Sequence, residues 1–227
     1  SVTITGTNDA PLISVVTTDS DAKTLNETDA ALSSSGTLTV VDADLSDTVT
    51  ASVVSVVASD TTTGLGSNNV ALAAMLTLTP DPIAANPGNA HNLNWSFNSG
   101  SEAFNYLAAG ERLTLTYTVR ATDSSAPLAS DDQTLTMSIT GANDAAVITG
   151  TATDSVTEAS GVLNGTAGDA SAGGDLNATD VDSSAEFAVQ AAVAKSYGSF
   201  SIDATGAWIY ALDDDNAAVQ ALNTGGT

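Results

Sequence analysis

Leu113-Thr114-Leu115-Thr116-Tyr117-Thr118-Val119 carries an apolar side chain at every odd position and threonine at every even one. Leu135, Met137 and Ile139 repeat the pattern a short loop later. Period-two alternation marks strands with one face buried and one face wet. Further strands are expected at 12–17, 37–41, 48–58, 93–97, 186–194, 198–203 and 206–211. Gly, Asn and Asp punctuate them, the vocabulary of tight turns. Many short strands of this kind predict an all-β protein built of β-sandwich modules. Segments 102–108 and 215–222 are expected to form single helical turns, with Asp215 as an N-cap. Stretches 59–70 and 160–175 are expected to be loops.

The 227 residues include 27 acidic and four basic side chains, a formal net charge of −23. Such a surface repels phosphate, which argues against nucleic acid and anionic membranes as partners. Asp outnumbers Glu 22 to 5. Asp prefers turns and caps to helix interiors, so the acidity belongs to loops, where clustered oxygens hold hard cations. The chain has no cysteine, which removes thiolate metal sites, disulfides and Cys nucleophiles. With 42% hydrophobic residues it is no disordered acidic tail. No apolar run reaches the length of a membrane-spanning helix.

The sequence repeats itself. Ile4-Thr5-Gly6-Thr7-Asn8-Asp9-Ala10 returns as Ile139-Thr140-Gly141-Ala142-Asn143-Asp144-Ala145. Asp42-Ala43-Asp44 returns as Asp180-Val181-Asp182, and Trp95-x-Phe97 as Trp208-x-Tyr210. The echoes keep their order. Residues 1–9 therefore read as the last strand and linker of a preceding repeat, 10–144 as a complete β-sandwich repeat, and 145–227 as a second repeat, incomplete at its C-terminal side. A strand matching the end of a unit could also add to the open edge of a neighbouring copy in concentrated solution, although a monomer is expected otherwise.

On an extended backbone, residues i and i+2 point to one side. Each Asp-x-Asp pair can therefore turn two carboxylates toward one cation, which takes six to eight oxygens. Asn8-Asp9 and Asn143-Asp144 bring amide, carboxylate and backbone oxygens to the joints. Glu27, Glu111, Glu158 and Asp123 are further candidate donors. His91 is the sole histidine and reads as a loop residue. Trp95 and Trp208 hold matching places and read as core anchors. Gly173-Gly174-Asp175 reads as a loop, and Asp213-Asp214-Asp215 as a solvated face.

The Asn-Asp-Ala-Pro linker (residues 8–11), Leu107-Ala108-Ala109-Gly110-Glu111, Thr116-Tyr117-Thr118-Val119 followed by Ala121-Thr122-Asp123, and Gly206-x-Trp208-x-Tyr210 together resemble VCBS repeats. These are cadherin-like, bacterial immunoglobulin-like modules of large RTX-type adhesins. The resemblance implies tandem extracellular β-sandwiches with Ca²⁺ at their junctions. It implies one junction using Asn8, Asp9, Asp42, Asp44 and Asp123. A second would use Glu27, Glu111, Asn143, Asp144, Asp180 and Asp182.

The expected function is structural: a Ca²⁺-stiffened extender segment of a secreted bacterial adhesin, supporting adhesion and biofilm formation. Export by a type I route is expected, and the partners are neighbouring repeats of the same chain. Other domains would meet any host-surface or matrix ligand. An alternative is a ligand- or carbohydrate-binding module, with loop 59–70 as its candidate contact. Catalysis is not expected, because no positioned nucleophile and base are evident.

Overall fold

A computed structural model of the chain describes residues 1–84 and 88–227. The chain divides into two compact units, Ser1–Asn143 and Asp144–Thr227. The first contains β1 (Leu12–Ser14), β2 (Ala22–Asn26), β3 (Ser33–Val41), β4 (Thr48–Asp60), the helix α1 (Asn69–Ala74), β5 (Leu76–Thr79), β6 (Ile83–Ala84), β7 (Leu93–Asn98), β8 (Arg112–Asp123) and β9 (Ser130–Thr140). The second contains β10 (Val147–Gly150), β11 (Ser171–Thr179), β12 (Gln190–Lys195), β13 (Gly198–Ile202) and β14 (Ala207–Leu212). Among the described residues, no helix is long and apolar enough to cross a membrane.

The first unit is a two-sheet sandwich. One sheet runs β1-β3-β7-β5 and the other β2-β9-β8-β4-β6. All pairs are antiparallel except β2, which lies parallel to β9. The alternating stretch is β8, central in its sheet. Leu113, Leu115, Tyr117, Val119 and Ala121 are fully buried, while the threonines between them are not. From the facing sheet β7 contributes Leu93, Trp95 and Phe97, also buried. Phe97 meets Tyr117 edge to face at 6.5 Å, joining the two sheets. The Tyr117 hydroxyl donates to the Leu72 carbonyl at 3.0 Å, so the ring buries its polar end with a partner.

The second unit has one sheet, β10-β11-β14-β13-β12. Its buried apolar cluster is small: Ala172, Ile202 and Trp208, with Phe200 stacked on Trp208 at 6.3 Å. The two units share a device. Gly36 faces Trp95 across the β3–β7 pair, and Gly174 faces Trp208 across the β11–β14 pair. A Cβ on Gly36 would lie 2.5 Å from the Trp95 ring, and one on Gly174 2.7 Å from the Trp208 ring nitrogen. Each indole therefore lies flat over a glycine. Each indole N–H donates to a backbone carbonyl at 2.7 Å: Ser20 for Trp95 and Thr151 for Trp208. Both tryptophans are core anchors, as their matching places suggested.

Three sequence expectations hold only in part. Residues 171–175 are the start of β11 instead of loop, and Gly174 is there because an indole covers it. Of the segment 59–70, residues 61–68 are loop as expected, and only its ends belong to β4 and to α1, whose Asn68 side chain accepts from the Val70 and Ala71 amides. Segment 102–108 forms turns without a helix, whereas 216–220 makes one helical turn, the Gln220 N–H donating to the Asn216 carbonyl at 3.0 Å. Phe104 takes a positive φ of 66°, and Asn216, not Asp215, caps its turn by accepting from Ala218 N–H.

Gly36→Val should destabilise the first unit by about 1–3 kcal/mol through overpacking against Trp95. A urea melt followed by Trp95 fluorescence would read this as a lower midpoint at unchanged slope.

Candidate metal centre

Three strands of the first unit carry the core alternation one step past their apolar residues and end on a carboxylate. In β3 the buried series Leu38, Val40 continues to Asp42. Before β4 the series Ala51, Val49 runs back to Asp47. In β8 the series Val119, Ala121 continues to Asp123. The phase that buries the apolar groups buries the acids too: Asp42, Asp47 and Asp123 are 2%, 5% and 3% exposed. Each offers a carboxylate oxygen within 4.8 Å of the others.

Each acid has some local support. Asp42 Oδ1 accepts the Asp44 N–H at 2.9 Å. The Ser125 hydroxyl donates to Asp47 Oδ1 at 2.6 Å. Asp123 Oδ1 accepts the Ala129 N–H at 3.0 Å. The linker then closes over the group. Asn8 Nδ2 donates to Asp123 Oδ2 at 2.8 Å and to the Pro127 carbonyl at 3.1 Å, and the Asp9 N–H donates to Asp44 Oδ2 at 2.7 Å. Asp42 Oδ2, Asp47 Oδ2 and Asn8 Oδ1 remain buried without a hydrogen-bond partner. A buried acceptor left without a donor costs free energy. No basic side chain is paired with these acids among the described residues, whose ion pairs are His91–Asp19 and Arg120–Asp132. Burial, followed by the charges of Asp47, Asp44 and Asp123, pushes the Asp42 carboxyl above its usual range. Converging oxygens, net negative charge and orphaned acceptors suit a hard cation of the Ca²⁺ type.

Within this unit the structure brings together Asn8, Asp9, Asp42, Asp44 and Asp123 of the expected set, and adds Asp47. The repeat hides Asp47, because the residue three past Asp182 is Ala185. Its signal is phase: it precedes Val49 and Ala51 at the same two-residue spacing.

Glu27 and Glu111 lie elsewhere in the first unit. Glu27 is buried; its two oxygens accept the Asp29 N–H at 2.6 Å and the Ala142 N–H at 3.3 Å. Asn105, not foreseen from the sequence, donates to Asp29 at 2.9 Å and keeps its own Oδ1 buried without a partner. Glu111 is exposed and accepts from the Ala108 N–H. Asn143 ends this unit. In the second unit Asp180 Oδ1 accepts the Asp182 N–H at 3.1 Å, and Asp182 Oδ2 accepts the Asp144 N–H at 3.0 Å. This is the bond pattern of Asp42, Asp44 and Asp9. Asp182 Oδ1 is a further buried acceptor without a partner. Asp182, then the Ser183 N–H, hold the Asp180 carboxyl below its usual range. Glu158 takes a weak 3.4 Å bond from Gln220, and Asp214 of the acidic triplet accepts the Ala159 N–H.

His91 belongs to a different cluster; Asn86 and Pro87 of its stretch lie outside the described residues. Its Nδ1 sits 2.7 Å from Asp19 Oδ1, and its Nε2 3.3 Å from the Thr18 hydroxyl. Asp19 also accepts from the hydroxyls of Thr37 and Thr39 and the Val16 N–H. Burial works against the charged form there, but the bonds from Thr37, His91, Thr39 and Val16 outweigh it and hold the carboxyl at about 2. Asp19 thus ties three segments of the sandwich together.

No family model matches the sequence, and no curated protein matches it. Solved structures that the chain partly resembles include AggA, the major subunit of aggregative adherence fimbriae type I from Escherichia coli. It is 13% identical with a TM-score of 0.37, over 61% of this chain and 99% of that one. The protocadherin GammaB4 extracellular domain is 13% identical with a TM-score of 0.38, over 92% of this chain. Human CDH23 EC21-23 is 15% identical with a TM-score of 0.38, also over 92%. The chain spans 30% and 55% of the length of these two cadherin structures.

Two outcomes follow. With chelator at neutral pH, Asp42→Asn should raise the unfolding midpoint, worth roughly 1–2 kcal/mol, because it removes one of three crowded buried charges while keeping an acceptor for Asp44. Thermal melts would read it. For Asp19 the sign is opposite. Its folded pKa lies below the unfolded value, so its contribution is full above about pH 4 and fades as pH falls toward 2. Asp19→Asn should be less stable than the parent at pH 7, with the difference shrinking by pH 2.5 in urea melts.

Proposed function

We propose that this chain is part of the extender region of a secreted bacterial adhesin, built of VCBS-like, cadherin-like repeats and stiffened by Ca²⁺. Its role in this reading is mechanical: it holds distant binding domains away from the cell and carries no catalysis. The observation that supports it most is the buried trio Asp42, Asp47 and Asp123 with the Asn8-Asp9 linker bonded across it. Three carboxylates crowded away from water are a poor way to stabilise a fold by themselves. They make sense as a cation seat that also holds the linker.

Asp42, Asp47, Asp123 and the Asn8 amide oxygen would hold the ion, with Asp44 and Asp9 close by. Ca²⁺ would supply the positive charge that lets these oxygens converge. By the repeat in the sequence, we extend the proposal to Asn143, Asp144, Asp180 and Asp182, with Glu27 and Glu111 as further donors. Extracellular modules bind Ca²⁺ with Kd of about 10⁻⁴–10⁻³ M. Seats of that strength fill outside a cell and stay empty in cytosol, so a chain exported by a type I route would stiffen after leaving.

Calorimetric titration with Ca²⁺ tests the seat, and scattering with and without chelator tests the stiffening. At free Ca²⁺ about a hundred times Kd, the gain in stability should be about 2.7 kcal/mol. Asp47→Asn should weaken binding at least tenfold without preventing folding. Identical dimensions and melting temperature in Ca²⁺ and in chelator would refute the proposal.

A further inference from the structure

Beside β3 in the first unit lie three groups that the cation seat does not use: Thr18, Asp19 and His91. His91 follows Thr18 by 73 residues, and β3 brings the two together. The Ser20 N–H donates to the Thr37 carbonyl at 3.1 Å, and the Thr37 and Thr39 hydroxyls donate to Asp19 at 2.6 and 2.7 Å. These bonds pin the turn that carries Thr18. From the other side, Asn92 exchanges two bonds with the Val40 backbone, and the His91 N–H donates to Thr39 Oγ1 at 2.9 Å. Neither group hangs on an unattached loop. Thr18 and His91 both take left-handed backbone angles, with φ of 78° and 58°. For a β-branched threonine that angle is a genuine outlier, and such outliers gather at functional sites.

The bonds around Asp19 decide where the protons sit. Burial opposes its charge, but the bonds from Thr37, His91, Thr39 and Val16 keep it ionised. An ionised carboxylate can only accept, so the hydrogen in its 2.7 Å contact with His91 lies on Nδ1. In a neutral imidazole the other nitrogen then keeps a bare lone pair. That nitrogen, Nε2, faces the Thr18 hydroxyl at 3.3 Å and accepts its O–H. The Asp19 side chain is 0% exposed and the His91 side chain 39%, so the acid is dry while the base is open to a reagent. Thr18 is exposed as well. A hydroxyl, an imidazole and a buried carboxylate bonded in that order are the parts that make a hydroxyl nucleophilic.

We infer that Thr18 is an acyl-acceptor site, with His91 as its base and Asp19 as the group that orients the base. The donor is an activated oxygen ester. Thr18 Oγ1 attacks the ester carbonyl while His91 Nε2 takes the hydroxyl proton. The tetrahedral intermediate collapses, the bond to the leaving oxygen breaks, and His91 hands the proton to the departing alcohol. The acyl group ends on Thr18 and His91 is neutral again, so no oxidant, reductant or further reactant is needed. The chain is modified once, without turnover, which goes beyond its mechanical role and leaves that role unaltered.

Incubating the full chain with p-nitrophenyl acetate and locating the acetyl group by peptide mass spectrometry tests this. Lys23 and Lys195 react with such esters unaided, so the rate at the Thr18 peptide decides, not the total label. Thr18 should be acetylated roughly a hundredfold faster than the other threonines, the lower end of general-base assistance. His91→Ala should remove that advantage. His91→Gln, which keeps an N–H for Asp19 but offers no base, should remove it equally, and this separates loss of the base from a disturbed turn. Thr18→Ser should be acetylated at least as fast as the parent, and Thr18→Ala should carry no acetyl group in that peptide. An unlabelled Thr18 overturns the inference. So does equal labelling of Thr18 in the parent and both His91 variants, and so does an acetyl group that stays on His91 and never reaches Thr18.

Discussion

The strand phase at one end of the first sandwich governs what this unit can do. A strand turns alternate side chains to one face, so a run that buries Val119 and Ala121 must bury Asp123 as well. The same holds for Asp42 after Val40 and for Asp47 before Val49. Asp123 cannot turn outward without breaking the register that sets Val49 opposite it in the β4–β8 pair. Two full charges within 4.8 Å of each other repel by roughly 3 kcal/mol or more at an effective dielectric of about 20. The apolar core of the sandwich offsets that cost, each fully buried aliphatic or aromatic side chain contributing about 1.5–3 kcal/mol. The core holds the acids where their own electrostatics would not.

The two units carry the same design to different degrees. Both lay a tryptophan over a cross-strand glycine and tie its indole N–H to a backbone carbonyl. Both bond an Asp-x-Asp pair to the linker aspartate through its N–H. They part where the second sheet enters. Phe97 has Tyr117 against it, whereas its counterpart Tyr210 faces a groove. The second unit therefore rests on one sheet and a small cluster, and its inner face keeps apolar surface that a sandwich would cover.

Much of this was legible in the sequence because period two is a strong signal in β7, β8 and β9. The acids of the repeated Asp-x-Asp and Asn-Asp pairs were legible because repetition singled them out. Asp47 was not, since it lies outside the repeated pair and Ala185 follows in the second copy. Asn105 and Asp29 were missed for a related reason: they meet through loops, and loop contacts leave no periodic trace. Gly174 misled because a glycine pair in a polar stretch looks like a turn, and the partner that explains it, Trp208, is 34 residues away. Short β2, pairing in parallel with β9 from more than a hundred residues off, left no local mark either.

The net charge of −23 is thus two different things. Most of it is spread over solvated loops, where it keeps chains apart and is screened within about 8–10 Å by salt. The buried trio is unscreened and sits under the linker. Asn8 and Asp9 are held by bonds to Asp123 and Asp44, whose strength depends on those acids being charged. Protonating the carboxylates would relieve their repulsion but weaken the bonds that hold the linker. A cation relieves the repulsion while leaving every carboxylate ionised, so it is the one form of compensation that steadies the sandwich end and the linker together.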